Sequence, residues 1–219
     1  MKEGPKKITG FQKNQLIMKK TLTEFIGTFF LVMGAALGEA VGASLALMVM
    51  IYAGGHISGA HYNPAVSLAV WIRGKLSIGD LIGYWMSQLA GAIAAALVVA
   101  NVFITEGREI CAVPEDGVIQ GIIAEILGTF ALAYVVLNVA TAKGTAGNSF
   151  YGLAIGGTVL AMASVIGKYS GAVYNPAVAV GLSIQKTLCW GQIWIYLVAC
   201  FGGAALAGLI FKMNNPEDK

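Results

Sequence analysis

Apolar residues fall into six long stretches, roughly 21–38, 41–57, 81–104, 118–140, 150–166 and 191–211, and most of the charge lies in the short segments between them. A helix rising 1.5 Å per residue needs about 20 apolar residues to cross a hydrocarbon core, and each stretch reaches or nearly reaches that length. Alternating runs of about ten residues, which barrel strands would show, are absent, and only helices satisfy every backbone group within one segment. The pattern therefore predicts six membrane-spanning helices. Two further apolar runs begin at Asn63-Pro64-Ala65 and Asn175-Pro176-Ala177, but Arg73-Gly74-Lys75 interrupts the first and Gln185-Lys186 the second before a bilayer is crossed. Each opens as a helix does, with Asn at the N-cap and Pro at the first helical position. Two half-helices are expected, each approached through a re-entrant loop.

The order of elements repeats. Glu24-Phe25-Ile26-Gly27-Thr28-Phe29 returns as Glu125-Ile126-Leu127-Gly128-Thr129-Phe130 at an offset of 101, and the Asn-Pro-Ala boxes are 112 apart. Each half reads span, span, half-helix, span. Three full spans per half leave the second half inverted relative to the first, so the half-helices approach each other from opposite sides near the midplane. Gly and Ala are dense in all six spans, which lets helices approach closely in lipid. The expected organisation is an N-terminal segment, 1–20, a channel-like domain, 21–212, with repeats at about 21–105 and 118–212, and a tail, 213–219. With both termini on one side, that side carries eleven of the fourteen Lys and Arg residues, leaving Arg108, Lys168 and Lys186 opposite. The positive-inside rule then puts both termini in the cytoplasm of what is expected to be the cell membrane.

Composition agrees with this reading. The 219 residues are 57% hydrophobic and 11% charged, with a mean hydropathy of +0.74, the balance of a polytopic membrane protein. The lysine-bearing start runs straight into a full span without a cleavage signature, so no processing is expected. No catalytic constellation, cofactor motif or nucleic-acid surface is evident, and the expected surroundings are the lipid bilayer. Cys111, Cys189 and Cys200 are too few and too scattered for a disulfide framework or a metal site, and are read as small apolar residues. His56 and His61 are five apart, a poor spacing for two ligands on one helical face, and no Cys or carboxylate adjoins them, so they are read as structural histidines of the re-entrant loop.

The two boxes carry chemistry of their own. A helix N-terminus bears roughly +0.5 charge and free N–H groups, so two of them facing each other make a midplane that repels cations and protons. Asn63 and Asn175 each retain an amide that can donate to a passing oxygen. A molecule bonded to both turns its oxygen toward them, which interrupts a proton wire. In the re-entrant loops, the backbone of Gly59, Ala60 and His61 and of Gly171, Ala172 and Val173 is expected to line the rest of the path, because non-helical backbone at membrane depth must face protein or a cavity.

The two boxes, the paired Glu-x-x-Gly-Thr-Phe openings and the run Gly55-His56-Ile57-Ser58-Gly59-Ala60-His61 resemble the aquaporin, or major intrinsic protein, family, over nearly all of residues 21–211. The resemblance implies an all-α aquaporin-like bundle of six helices plus two half-helices, a pore in each subunit, a homotetramer, and passage of water or small neutral solutes with exclusion of ions. It also implies that Glu24 and Glu125 accept hydrogen bonds from the re-entrant loops rather than relay protons. The departures are specific. Where water and glycerol channels usually carry Arg after the second box, this chain has Val178, and family spacing puts the other filter positions at Ala43, Ala163 and Ala172. Ala179 stands where glycerol channels often have Asp, and Cys200 where Pro is common in the last helix. Such a filter should be wide, dry and uncharged, passing water and neutral molecules such as glycerol, urea, ammonia or metalloid acids. An ion-coupled secondary transporter built on inverted repeats, or a structural membrane protein with a closed pore, are the alternatives.

Overall fold

The computed structural model describes residues 9–103 and 111–218. Helix α1 (Gly10–Ser58) is broken at Glu39, whose φ of 49° and ψ of −142° are not helical. Gly34 lies against the backbone of Gly42 and the methyl of Ala46, so the arms on either side of the break double back on each other and form the first two spans. The first arm starts eleven residues earlier than the apolar pattern predicts. Thr9 and Gln12 form a reciprocal capping box, and the Gln, Lys, Leu and Met residues that follow are good helix formers, so residues 10–20 belong to the helix.

Next come the half-helix α2 (Pro64–Arg73), α3 (Ile78–Val98), α4 (Val118–Val136), α5 (Tyr151–Ile166), the second half-helix α6 (Pro176–Ile184) and α7 (Ile193–Asn214). One wider π turn carries α3 on to Phe103 and another carries α4 on to Thr141. Among the described residues, five helices are long and apolar enough to cross a membrane, and the break in α1 turns them into six spans. Each half-helix packs on the last span of the opposite repeat, α2 on α7 and α6 on α3, while α1 packs on α3 and α5 and α4 on α7. This exchange locks the two repeats into one body.

The repeat is visible in its contacts. The Tyr62 ring lies where a Cβ on Gly27 would be, and the Tyr174 ring does the same at Gly128. Any larger residue at either glycine would collide with the tyrosine that precedes an Asn-Pro-Ala box. The Tyr84 hydroxyl donates to the carbonyl of Ser58 at 2.6 Å, and the Tyr196 hydroxyl to that of Ser170 at 2.7 Å. Large apolar side chains such as Met86, Ile119, Leu153 and Leu209 face outward, whereas Glu24, Gln88, Asn63, Glu125 and Asn175 are buried. That distribution suits a lipid surroundings, where polar groups find partners only inside the protein.

Reading all three cysteines as small apolar residues is wrong for two of them. Cys111 and Cys189, 78 residues apart, form a disulfide with Cα atoms 4.8 Å apart. Each stands alone in its own connection, and only the folded chain brings the two connections together. Cys200 is free and buried in α7.

Candidate functional site

Both re-entrant loops hang on a buried carboxylate. Glu24 Oε1 accepts from the Ser58 hydroxyl at 2.7 Å and the His61 N–H at 3.0 Å, while Oε2 accepts from the Tyr62 N–H at 2.7 Å and the Gln88 amide at 2.8 Å. Glu125 repeats the arrangement with the Ser170 hydroxyl at 2.7 Å and the N–H groups of Val173 and Tyr174 at 2.9 and 2.7 Å. The Cys200 thiol stands 3.6 Å from its Oε2. Carboxylates so engaged hold backbone in a conformation it would not otherwise keep. Ala60, Tyr62, Ala172 and Tyr174 all have φ between 49° and 56°, beside Gly59 and Gly171 at 87° and 88°. Left-handed backbone at non-glycine residues persists only where its surroundings over-determine it.

The loops deliver Asn63 and Asn175 to the middle of the protein. Each side-chain oxygen caps its own half-helix, with Ala65 N–H at 2.9 Å and Val66 N–H at 3.4 Å for Asn63, and the same distances to Ala177 and Val178 for Asn175. The amide nitrogens cross over. Asn63 Nδ2 donates to the Tyr174 carbonyl at 2.9 Å, and Asn175 Nδ2 to the Tyr62 carbonyl at 2.9 Å. Because a side-chain amide has two donor hydrogens, each Asn keeps one beyond this cross-link.

Both Asn residues line a narrow space of about 30 Å³ open to water-sized spheres, together with Ala43, Ala60, His61, Ala172, Val173 and Val178. Apart from Tyr174, the rest of the wall is aliphatic: Leu31, Leu47 and Ile51 from α1, Val66 from α2, Leu132 and Val136 from α4, and Ile155 and Val159 from α5. These residues crowd the space around the Asn pair, and the small side chains at Ala43 and Ala172 open no large chamber beside it. Wall residues recur four apart on α1, α4 and α5, but so do outward-facing Leu45 and Val49, so the spacing does not single out the wall in the sequence. Ala163 continues the Ile155–Val159 stripe, yet it is not part of this wall. It lies at the end of α5, where the chain is already turning, with its methyl 3.7 Å from where a Cβ on Gly167 would be. His56 also differs from expectation. Because α1 continues to Ser58 before Gly59 caps it, His56 sits exposed in the last helical turn rather than in the loop. His61 is buried, with Nδ1 3.0 Å from the Ser67 hydroxyl, and it borders a second, more polar cavity of about 310 Å³ that contains the Lys20–Asp80 pair.

At that mouth the sequence gives no hint of one further cluster. Arg73, the last residue of α2, is buried and donates from Nη2 to Asp218 Oδ1 at 2.6 Å and to the Thr141 carbonyl at 3.3 Å, and its guanidinium lies 4.8 Å over the Phe211 ring. Asp218 Oδ2 accepts from the Lys143 N–H at 2.7 Å. That N–H foremost, and then Arg73, hold the Asp218 carboxyl below its usual range. A lowered folded pKa stabilises at pH above the unfolded carboxylate value, about 3.9, and that stabilisation is lost as pH falls through the folded value. In thermal melts of the detergent-solubilised protein, Asp218→Asn should therefore melt below wild type at neutral pH, and the gap should close on acidification below about pH 4. A gap that stayed constant would show that the carboxylate charge contributes nothing.

The profile of the major intrinsic protein family matches residues 11–211. Aquaporin NIP1-2 of Arabidopsis thaliana is 30% identical over 92% of this chain and 76% of its own length. Glycerol uptake facilitator protein-like 6 of Lactiplantibacillus plantarum is 33% identical over 92% of this chain and 100% of its own. The X-ray structure of the aquaglyceroporin from Plasmodium falciparum shares the fold, with a TM-score of 0.70 at 20% identity over 92% of this chain and 98% of that one. With its paired half-helices, its inverted repeat and a family match across nearly its whole length, the chain belongs to the major intrinsic protein family.

Proposed function

We propose that this multi-pass membrane protein is a passive channel for water and small uncharged solutes, with one pore per subunit of a homotetramer and both termini in the cytoplasm. The observation that carries the reading is the crossed pair of Asn amides. With their oxygens used as caps and one hydrogen each bound to the opposite loop, Asn63 and Asn175 have one N–H apiece to offer an oxygen at the midplane. A water molecule accepting both points its own hydrogens toward the two exits, so a proton wire is interrupted there. The N-termini of α2 and α6 add positive potential at the same point, the device by which aquaporin-type pores exclude protons and cations. The loop carbonyls at Gly59, Ala60 and His61 and at Gly171, Ala172 and Val173 supply acceptors along an otherwise aliphatic path.

Ala43, Ala172 and Val178 form the outer filter, with Ala163 just beyond it. Lacking a fixed charge there, the filter discriminates by bore and by the desolvation of each solute. The names of relatives, an aquaporin and a glycerol uptake facilitator, support water and glycerol as permeants. Orientation rests on the lysine distribution, and the disulfide agrees with it, since bridges persist on the oxidising side of a cell membrane. No Asp, Glu, Lys or Arg lines the narrow space among the described residues, which leaves a coupled transporter no carboxylate, amine or guanidinium there.

Stopped-flow swelling of proteoliposomes tests the proposal. Water and solute fluxes should rise linearly with gradient and ignore imposed proton or sodium gradients; saturation or ion dependence would replace the channel with a transporter. In the same vesicles, Asn63→Ala and Asn175→Ala should each remove a cap worth about 1 kcal/mol and raise proton leak. Assembled variants with wild-type proton tightness would remove the Asn pair from the exclusion mechanism.

A further inference from the structure

The two re-entrant loops are not supported alike. Gly59, in the first loop, borders open cavities at its mouth. Its counterpart Gly171, though exposed, meets a distant segment of the chain: the Ala112 methyl lies 3.3 Å from where a Cβ on Gly171 would be. Next to Ala112, Val113 is 1% exposed and seats its methyls in the notch left by Gly121, beside the Tyr169 carbonyl. The short segment 111–113 thus lies across the outer side of the second loop, next to the filter residue Ala172.

That strap is tied twice to one place. Cys111 is joined covalently to Cys189. Three residues further along, the Gln192 side chain grips the backbone of Val113 from both ends: its Oε1 accepts from the Val113 N–H at 3.2 Å, and its Nε2 donates to the Val113 carbonyl. On the inner side, Glu125 holds Ser170, Val173 and Tyr174. The filter loop is therefore clamped between a buried carboxylate and a stapled strap.

We propose that the Cys111–Cys189 bridge and Gln192 are positioning residues for solute selection, setting the bore at Ala172 by fixing the outer face of the Gly171–Ala172 turn. This rests on the channel reading above. The chemistry requires such a brace. An apolar filter has no charged group to select with, so selection follows bore width, and Gly171 at a φ of 88° is backbone that side-chain sterics alone do not hold in place. Opening the bridge leaves Gln192 as the only remaining tie of the two. The loop then moves outward, and bulkier solutes gain more than water does.

The test uses the full-length protein in proteoliposomes, with an impermeant dithiol reductant added outside. One thiolate of the reductant attacks a bridge sulfur to give a mixed disulfide. Its second thiolate then displaces that sulfur, leaving two protein thiols and one oxidised reductant. Reduction should raise the glycerol-to-water permeability ratio severalfold, and reoxidation should restore it. Cys111→Ser/Cys189→Ser should show the raised ratio without reductant and should not respond to it, and Gln192→Ala should add to the reduced state. An equal ratio in oxidised and reduced wild type, with reduction verified by thiol labelling, overturns the proposal. Should the double variant fail to assemble, the reduction of assembled wild type decides alone. Bracing is also read without transport, as faster amide hydrogen exchange across 169–174 after reduction; unchanged exchange overturns it. Accelerated exchange in a protein that passes neither water nor glycerol would instead overturn the channel reading and leave the brace standing.

Discussion

Glu24→Ala is expected to leave no assembled channel in the membrane. The carboxylate takes four hydrogen bonds in a fully buried position, and each donor stranded by its loss costs about 1–3 kcal/mol. The Ser58 hydroxyl and Gln88 amide can turn elsewhere, but the N–H groups of His61 and Tyr62 belong to a loop whose left-handed φ values this cradle holds from within. A whole-protein margin of about 5–15 kcal/mol does not survive the loss of the cradle and the release of that loop together. Glu24→Gln should be intermediate. One oxygen still accepts, and Gln88, whose Oε1 has no partner, can flip to meet the new NH₂ group, but one backbone N–H goes unserved. Glu125→Ala should be milder than Glu24→Ala, because one of its four neighbours is a thiol, a weak donor. Extracted yield and thermal melting after size exclusion give the order. If Glu24→Ala assembled and melted like wild type, the loop would be held by something other than this carboxylate.

Legibility in the sequence followed the range over which each signal acts. Spans and half-helix starts are local: an apolar run or an Asn followed by Pro is read within a few residues, and the helices begin at Pro64 and Pro176 as those signals imply. The inversion was also legible, since an odd number of spans per half leaves no other geometry. What failed depends on chain segments meeting in space. Cys111 gives no sign of Cys189, nor Arg73 of Asp218 145 residues away. Arg73 reads as the charge that ends a half-helix, while in the fold it is the buried anchor of the tail. The passage wall lies between these cases. Leu47 and Ile51 line it while Leu45 and Val49 on the same arm face outward at 50% and 53% exposure, and residue type alone does not separate the two faces when both are apolar. In a soluble protein polarity would mark the outer face; in lipid that contrast is lost.

Val178→Arg should cut glycerol and urea permeability more than water permeability. Val178 follows Asn175-Pro176-Ala177, is 5% exposed, and borders the passage with Ala43 and Ala172, so a longer side chain there must extend along or into the bore. Three effects act together. The added bulk narrows a path that already holds only about 30 Å³ for water-sized spheres. The guanidinium adds N–H donors, which a single water meets more readily than a polyol that must present several hydroxyls to an aliphatic wall. Its fixed charge adds to the half-helix potential and lowers any residual cation leak. Against this stands the burial of a charge with no carboxylate among the residues bordering the passage, which strongly disfavours the loop unless carbonyls or water solvate the group. Assembly is therefore checked first by size exclusion, with Val178→Gln as an uncharged variant that narrows the bore without that penalty. Both assembled variants should lower the solute-to-water ratio, and only Arg should also lower cation leak. An assembled Arg variant that kept the wild-type ratio would remove Val178 from the filter, and with it the assignment of Ala43, Ala163 and Ala172, because all four rest on the same family spacing.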